Sequence, residues 1–196
     1  MWITRFTQKI EALAAKNKLI FRLASRYYNK IIKNEVDLAD ITKDDHILCI
    51  GGGICPFSAI MLHQNTGAKV TVIDNDSACI PEARKVISRL GIGDSVHVTC
   101  QDGCCADLSL SRYTVVHFAL QVSPLESVFA QVQKRAADGT KLLIRRPKNH
   151  LCRLYSRLSL SCQRHVAHKG PSNVGSTLLY VVGDGAVGHA QQAKAS

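Results

Sequence analysis

Residues 47–60, ILCIGGGICPFSAI, run from four apolar residues into three successive glycines and on to Pro56 and Phe57 at the head of a second apolar pattern. Ile47 to Ile50 show no polar alternation, which is how a strand reads when both of its faces are buried in a parallel sheet. Gly51, Gly52 and Gly53 suit a corner where the backbone takes torsions that other residues resist, or approaches another group closely. Pro56 suits a first helical turn, where its missing N–H would have had no partner. The stretch therefore reads as strand, tight corner, helix.

The same alternation extends outward. Between Thr7 and about Lys33 the residues Ile10, Leu13, Ala14, Leu19, Ile20, Leu23, Tyr27 and Ile31 recur at helical spacing with basic residues between them, predicting a long amphipathic helix broken near Asn17. VDLADITKDDH is a connector, and HILCI is the first strand. After the corner come a helix over PFSAIMLHQ, a strand KVTVID, a helix CIPEARKVISRL stopping at Gly91, and strands SVHVTCQ and YTVVHFAL. Ser123 and Glu126 spell a capping box with Pro124 between them, opening a helix that ends at Asp138-Gly139. TKLLIRR is a fifth strand, HLCRLYSRLSL a short helix and STLLYVVG a closing strand. Strands alternating with helices predict an α/β fold, a doubly wound, Rossmann-like and mostly parallel sheet with an N-terminal helical extension. The expected organisation is a helical cap over 1–36, an α/β domain over 37–183 and a disordered tail over 184–196.

A chain of 196 residues is the size of one domain with one core. No apolar run approaches the roughly 20 residues a membrane helix needs, and charges interrupt the N-terminus where a signal peptide needs an apolar centre. A cytoplasmic protein without a membrane partner is expected. The eight cysteines lack framework spacing, so reduced thiols are expected. Cys100, Cys104 and Cys105 do not have zinc-ligand spacing, and His165 and His168 form too sparse a pair, so no metal is expected. The charge of +10 is uneven: residues 1–36 carry eight Lys and Arg against two acids, residues 139–183 eight against none, and residues 37–138 eight against twelve. Either basic flank suits an anionic partner, whether an acidic small molecule or a nucleic acid.

In a doubly wound sheet, ligands sit outside the carboxyl ends of the strands, beside the turn after the first strand. Counted from Gly51, the third glycine of a dinucleotide fingerprint falls on Pro56, and the lysine of a phosphate-binding loop is missing. Asp74 ends the second strand 23 residues after Gly51, the interval one strand-turn-helix-strand unit imposes, and an acid there accepts from both hydroxyls of a ribose. Asp102, after the next strand, is placed to accept from an adenine amino group. Together the glycine corner and the two acids resemble the class I S-adenosylmethionine-dependent methyltransferases over about residues 45–147. That resemblance implies S-adenosylmethionine as cofactor, with Gly51, Gly52 and Gly53 against its methionine and ribose, Asp74 on the ribose, and Asn75, Asp102 and Gly103 near the adenine. The pattern departs from that family at Cys49, where an acid is common, and at Cys55, where a third glycine is common.

A narrower likeness lies within it. CIGGGICPFSAIML is similar to the corresponding corner of nicotianamine synthases, with Ile50, Gly51, Gly53 and Pro56 in register, and YTVVHFALQV and GTKLLIRRPKNHLCRLY are similar to that family's fourth and fifth strand regions, with Arg146 over its arginine. Those enzymes transfer the aminobutyrate group of the same cofactor. The leading expectation is a methyltransferase acting on a small molecule, the second is aminobutyrate transfer, and the third is a non-catalytic nucleic-acid-binding domain. Methyl transfer needs chiefly alignment in a dry pocket, so no catalytic residue has to announce itself. The candidates are Tyr27 and Tyr28 on the helix before the first strand, Gln121 past the fourth strand, and Arg146 with Arg145 at the end of the fifth. Ser123 is expected as a cap and His117 as a satisfied core histidine.

Overall fold

A computed structural model describes residues 13, 17–105, 109–156, 158, 164–170 and 172–183, apart from the side chains of Lys18 and Tyr27. Seven strands form one sheet in the order β3-β2-β1-β4-β5-β7-β6. They are β1 His46–Ile50, β2 Lys69–Asp74, β3 Val96–Cys100, β4 Val115–Phe118, β5 Lys141–Pro147, β6 Arg164–Ala167 and β7 Val174–Val181. The first five are parallel, whereas β7 runs antiparallel between β5 and β6. Strand order reverses between β1 and β4, which puts the ligand-binding crevice of such a sheet at the glycine corner.

Among the described residues four α-helices with defined bounds accompany the sheet: α1 Lys18–Ala39, α2 Phe57–Thr66, α3 Ile80–Arg89 and α4 Leu125–Arg135. The expected break near Asn17 is the start of α1, where the Asn17 side chain accepts hydrogen bonds from the Leu19 and Ile20 N–H groups. Helix α1 then continues through Val36–Ala39, residues that the sequence assigns to a connector, and ends at Asp40 in the left-handed region. The tail expected over 184–196 lies outside the described residues, as does most of the segment before Asn17.

Successive strand residues face opposite sides of the sheet, so each side has its own core. Ile47, Cys49, Val70, Val72 and Leu143 pack with Ile32, Ile60 and Leu62 on the α1–α2 side; Leu48, Ile50, Val116, Phe118 and Leu142 pack with Phe129 and Val132 on the α4 side. This double burial explains the apolar runs Ile47–Ile50 of β1, Val115–Val116 of β4 and Leu142–Ile144 of β5.

Three local expectations need correction. The Ser123 capping box does not form: Pro124 takes the N-cap position in extended conformation, no side chain caps the helix, and the Ser123 hydroxyl instead meets Ser156 Oγ at 2.9 Å. The short helix after β5 is a 3-10 turn over Asn149–Leu154. The basic loop holding His165 and His168 contains the edge strand β6, which its mostly exposed side chains did not betray.

Candidate functional site

The carboxyl ends of β1 to β5 open on a crevice of about 880 Å³. Its walls include Tyr28, Gly51, Gly52, Gly53, Asp74, Asn75, Asp102, Gly103 and Gln121, so nearly all residues singled out in the sequence converge there. Arg146 is the exception: it is exposed and outside the lining, because the period-two strand turns it away from the neighbouring Arg145, which is buried in the wall. The side chain of Tyr27 lies outside the described residues. Cys55 and Phe57 line the crevice while buried, and Tyr28 stacks on Phe57 with ring centroids 5.1 Å apart.

The corner is held from two sides. Gly51 (φ +86°) and Gly53 (φ +61°) occupy the left-handed region. The Gly51 N–H donates to the Ile73 carbonyl at 2.9 Å, and the Gly53 N–H donates to Asp74 Oδ2 at 2.7 Å. Asp74 Oδ1 accepts from the Asp76 N–H at 3.0 Å. Each carboxylate oxygen has a second lone pair, so Asp74 braces the corner and still offers acceptors to the crevice. Asp102 Oδ1 accepts from the Cys104 N–H at 2.8 Å, which fixes the turn after β3. Gly52 and Gly103 answer packing as well: a Cβ on Gly52 would stand 2.3 Å from Val72 Cγ1, and one on Gly103 2.8 Å from Val128 Cγ1.

Beneath the β4–β5 end lies a buried polar cluster that the sequence reading missed. Glu35 of α1 has no exposed surface. Its Oε1 and Oε2 accept from Arg145 Nε at 2.7 Å and Arg145 Nη2 at 2.8 Å, a bidentate pair, and Oε1 also accepts from the Thr177 hydroxyl at 2.7 Å. His117 Nε2 lies 3.2 Å from Oε2, and Arg145 Nη1 donates to Ser58 Oγ at 2.8 Å. Burial opposes ionisation of Glu35, but the Arg145 guanidinium, helped by His117, outweighs it and holds the carboxyl far below the usual range. For His117, burial and then Arg145 push the pKa below its ordinary value, against Glu35 and the ring's own backbone, so the ring is neutral. Burial likewise pushes the Cys49 thiol up to about 12, which makes it unreactive. Arg145 is thus engaged by Glu35 and Ser58 and is not the open grip for a carboxylate that its strand-end position suggests. A sequence signal for Glu35 existed: it falls three and four residues after the buried Ile32 and Ile31, a charge on the apolar stripe.

His168 is bound rather than paired with His165: its Nε2 lies 2.8 Å from Thr177 Oγ1 and its Nδ1 3.3 Å from Asn34 Nδ2. Among the described residues no helix is long and apolar enough to cross a membrane.

No protein-family profile matches the chain. Among curated proteins it is similar to L-histidine 2-aminobutanoyltransferase of Pseudomonas aeruginosa (strain UCBPP-PA14), 28% identical over 116 residues, covering 58% of this chain and 43% of that protein. The protein of the same name from Yersinia pestis is 25% identical over 118 residues, with 60% and 43% coverage. The chain therefore spans less than half the length of these relatives. Among solved structures, a glutamate-to-glutamine mutant of the nicotianamine synthase MtNAS in complex with S-adenosylmethionine superposes with a TM-score of 0.76 at 23% identity, over 92% of this chain and 75% of that one. An RNA methyltransferase from Salinibacter ruber, in complex with S-adenosyl-L-homocysteine, gives 0.62 at 18% identity over 78% and 90%. These likenesses establish a class I methyltransferase-like fold.

Proposed function

We propose that this chain is an S-adenosylmethionine-dependent transferase that passes the cofactor's aminobutyrate group to a small amino acid acceptor. The observation that carries the reading is the meeting, in one crevice, of a left-handed glycine corner with carboxylates at the ends of β2 and β3, on a chain whose curated relatives carry an aminobutanoyltransferase name. The residues present fit the cofactor: the lone pairs that Asp74 keeps beyond its two backbone partners suit the ribose hydroxyls, Asp102 and Gly103 with Asn75 suit the adenine, and the bare backbone of Gly51 to Gly53 lets the ribose and methionine come close. When bound, the sulfonium supplies carbons already activated for displacement. The chain's own share is to align the acceptor and keep water out, which accounts for much of the acceleration in such transfers. Tyr28 and Gln121 lie in the crevice wall, where this reading has them meet the acceptor, and the acid-free segment 139–183 favours an anionic acceptor such as a carboxylate.

Methyl transfer from the same site is the second reading, favoured by the fold shared with a methyltransferase. The deciding experiment incubates the chain with S-adenosylmethionine and L-histidine and separates the products. Methylthioadenosine supports aminobutyrate transfer, S-adenosylhomocysteine supports methyl transfer, and the absence of calorimetric binding of S-adenosylmethionine overturns both.

A further inference from the structure

The protons of the buried cluster can be assigned one by one. A carboxylate only accepts, so the ring nitrogen that faces Glu35 Oε2, His117 Nε2, carries the proton of the neutral imidazole. The single hydroxyl proton of Thr177 goes to Glu35 Oε1, so Thr177 accepts from His168 Nε2–H, and His168 Nδ1 accepts from Asn34. One atom of the cluster is left over. His117 Nδ1 is buried, is a bare lone pair in this tautomer, and has no hydrogen-bond partner beyond its own residue among the described residues, while His117 forms part of the crevice wall. A buried acceptor without a donor is destabilising, and native structures rarely keep one without a use.

Its place in the sheet indicates what supplies the donor. Asp74 ends β2 and Asp102 follows β3 by two residues, on one side of β1; His117 is in β4, on the other. If the adenosine lies along the two carboxylates, the reading on which this inference rests, His117 belongs to the acceptor half. We propose that His117 Nδ1 is the hydrogen-bond acceptor for an N–H of the amino acid that receives the transferred group, in a tautomer that Glu35 fixes. A carboxylate or carbonyl has only lone pairs to present there and is refused. The ring has no surface open to water, so the seat opens only as the crevice fills and forms in the complex. Glu35 acts through His117 and is a positioning residue. A site that reads a donor in this way rejects analogues lacking it, because the acceptor would again be orphaned.

Nitrogen NMR of the full chain labelled at its histidine rings tests this, with calorimetry on the same samples. In the free chain and with S-adenosylhomocysteine, His117 should show a protonated Nε2 and a lone-pair Nδ1. Adding unlabelled L-histidine should move Nδ1 toward a hydrogen-bonded position and leave Nε2 in place. Glu35→Gln, which releases the tautomer, should weaken L-histidine by about tenfold and leave S-adenosylhomocysteine within about twofold. Binding of L-histidine with Nδ1 unmoved, or a proton on Nδ1 in the free chain, overturns the inference. Heat with S-adenosylhomocysteine but none with L-histidine overturns it while the cofactor reading stands. No heat with S-adenosylhomocysteine overturns the cofactor reading and this inference together.

Discussion

Replacing Glu35 with alanine should be among the most damaging single changes available in this chain. The substitution removes an acceptor with no exposed surface and leaves three donors behind: the Arg145 guanidinium, which loses contacts of 2.7 and 2.8 Å, the Thr177 hydroxyl and His117 Nε2–H. Arg145 has 4% of its side chain exposed, so water cannot substitute for the carboxylate. Breaking a buried pair by deleting one partner costs about 3–5 kcal/mol, since the remaining charge is uncompensated. A domain holds about 5–15 kcal/mol in total, so the loss is a large fraction of its stability. With a urea slope near 2 kcal/mol per molar, the unfolding midpoint should fall by roughly 1.5 to 2.5 M. Urea is the denaturant of choice because guanidinium chloride would screen the ions being measured. Lys85→Gln is the control: it breaks an ion pair of 2.7 Å whose side chains are 72% and 39% exposed. Pairs of that kind contribute about 0–1 kcal/mol. A Glu35→Ala midpoint within about 0.5 M of the parent, a loss of no more than about 1 kcal/mol and so that of an exposed pair, would refute the reasoning that this buried cluster holds the fold together.

Asp74→Ala should weaken S-adenosylmethionine by about 1–3 kcal/mol in calorimetry, the usual penalty for orphaned partners, and an unchanged affinity would remove Asp74 from the ribose site. Stability should fall as pH drops below about 6.5, where the unfolded histidines gain protons that buried His117 refuses because its folded pKa is depressed, and the urea midpoint of His117→Phe should fall less steeply over that window. At lower pH the depressed Glu35 adds a loss of the same sign, beginning near its unfolded pKa. Gly52→Ala should destabilise the chain and abolish cofactor binding, because the new methyl meets Val72 Cγ1 at 2.3 Å, and adding Val72→Ala should recover part of the stability in a thermal melt. In a native thiol titration Cys100, which is exposed, should react while Cys49, with its thiol pushed up to about 12, should not until the chain unfolds.

The alternation of short apolar runs with helical patterns was enough to determine the five parallel strands and the glycine corner, because a strand buried on both faces reads as a continuous apolar run and a helix as a 3.6-residue apolar period. The positions of Asp74 and Asp102 were legible too: a fixed strand-turn-helix-strand length puts the end of each strand, and the turn just after it, at the same rim. The edge strand β6 was not, since its four residues are mostly exposed and too few to show a pattern, and neither was the failure of Ser123 to cap, which depends on the extended Pro124. Only the tertiary structure decided which arginine enters the wall, because a one-residue choice of strand face separates Arg145 from Arg146. Only it joined Glu35 to Arg145, 110 positions later, and to Thr177, 142 positions later. Local sequence carries the period of each element; the partners of a buried charge are set by which elements pack together, and no spacing along the chain encodes that.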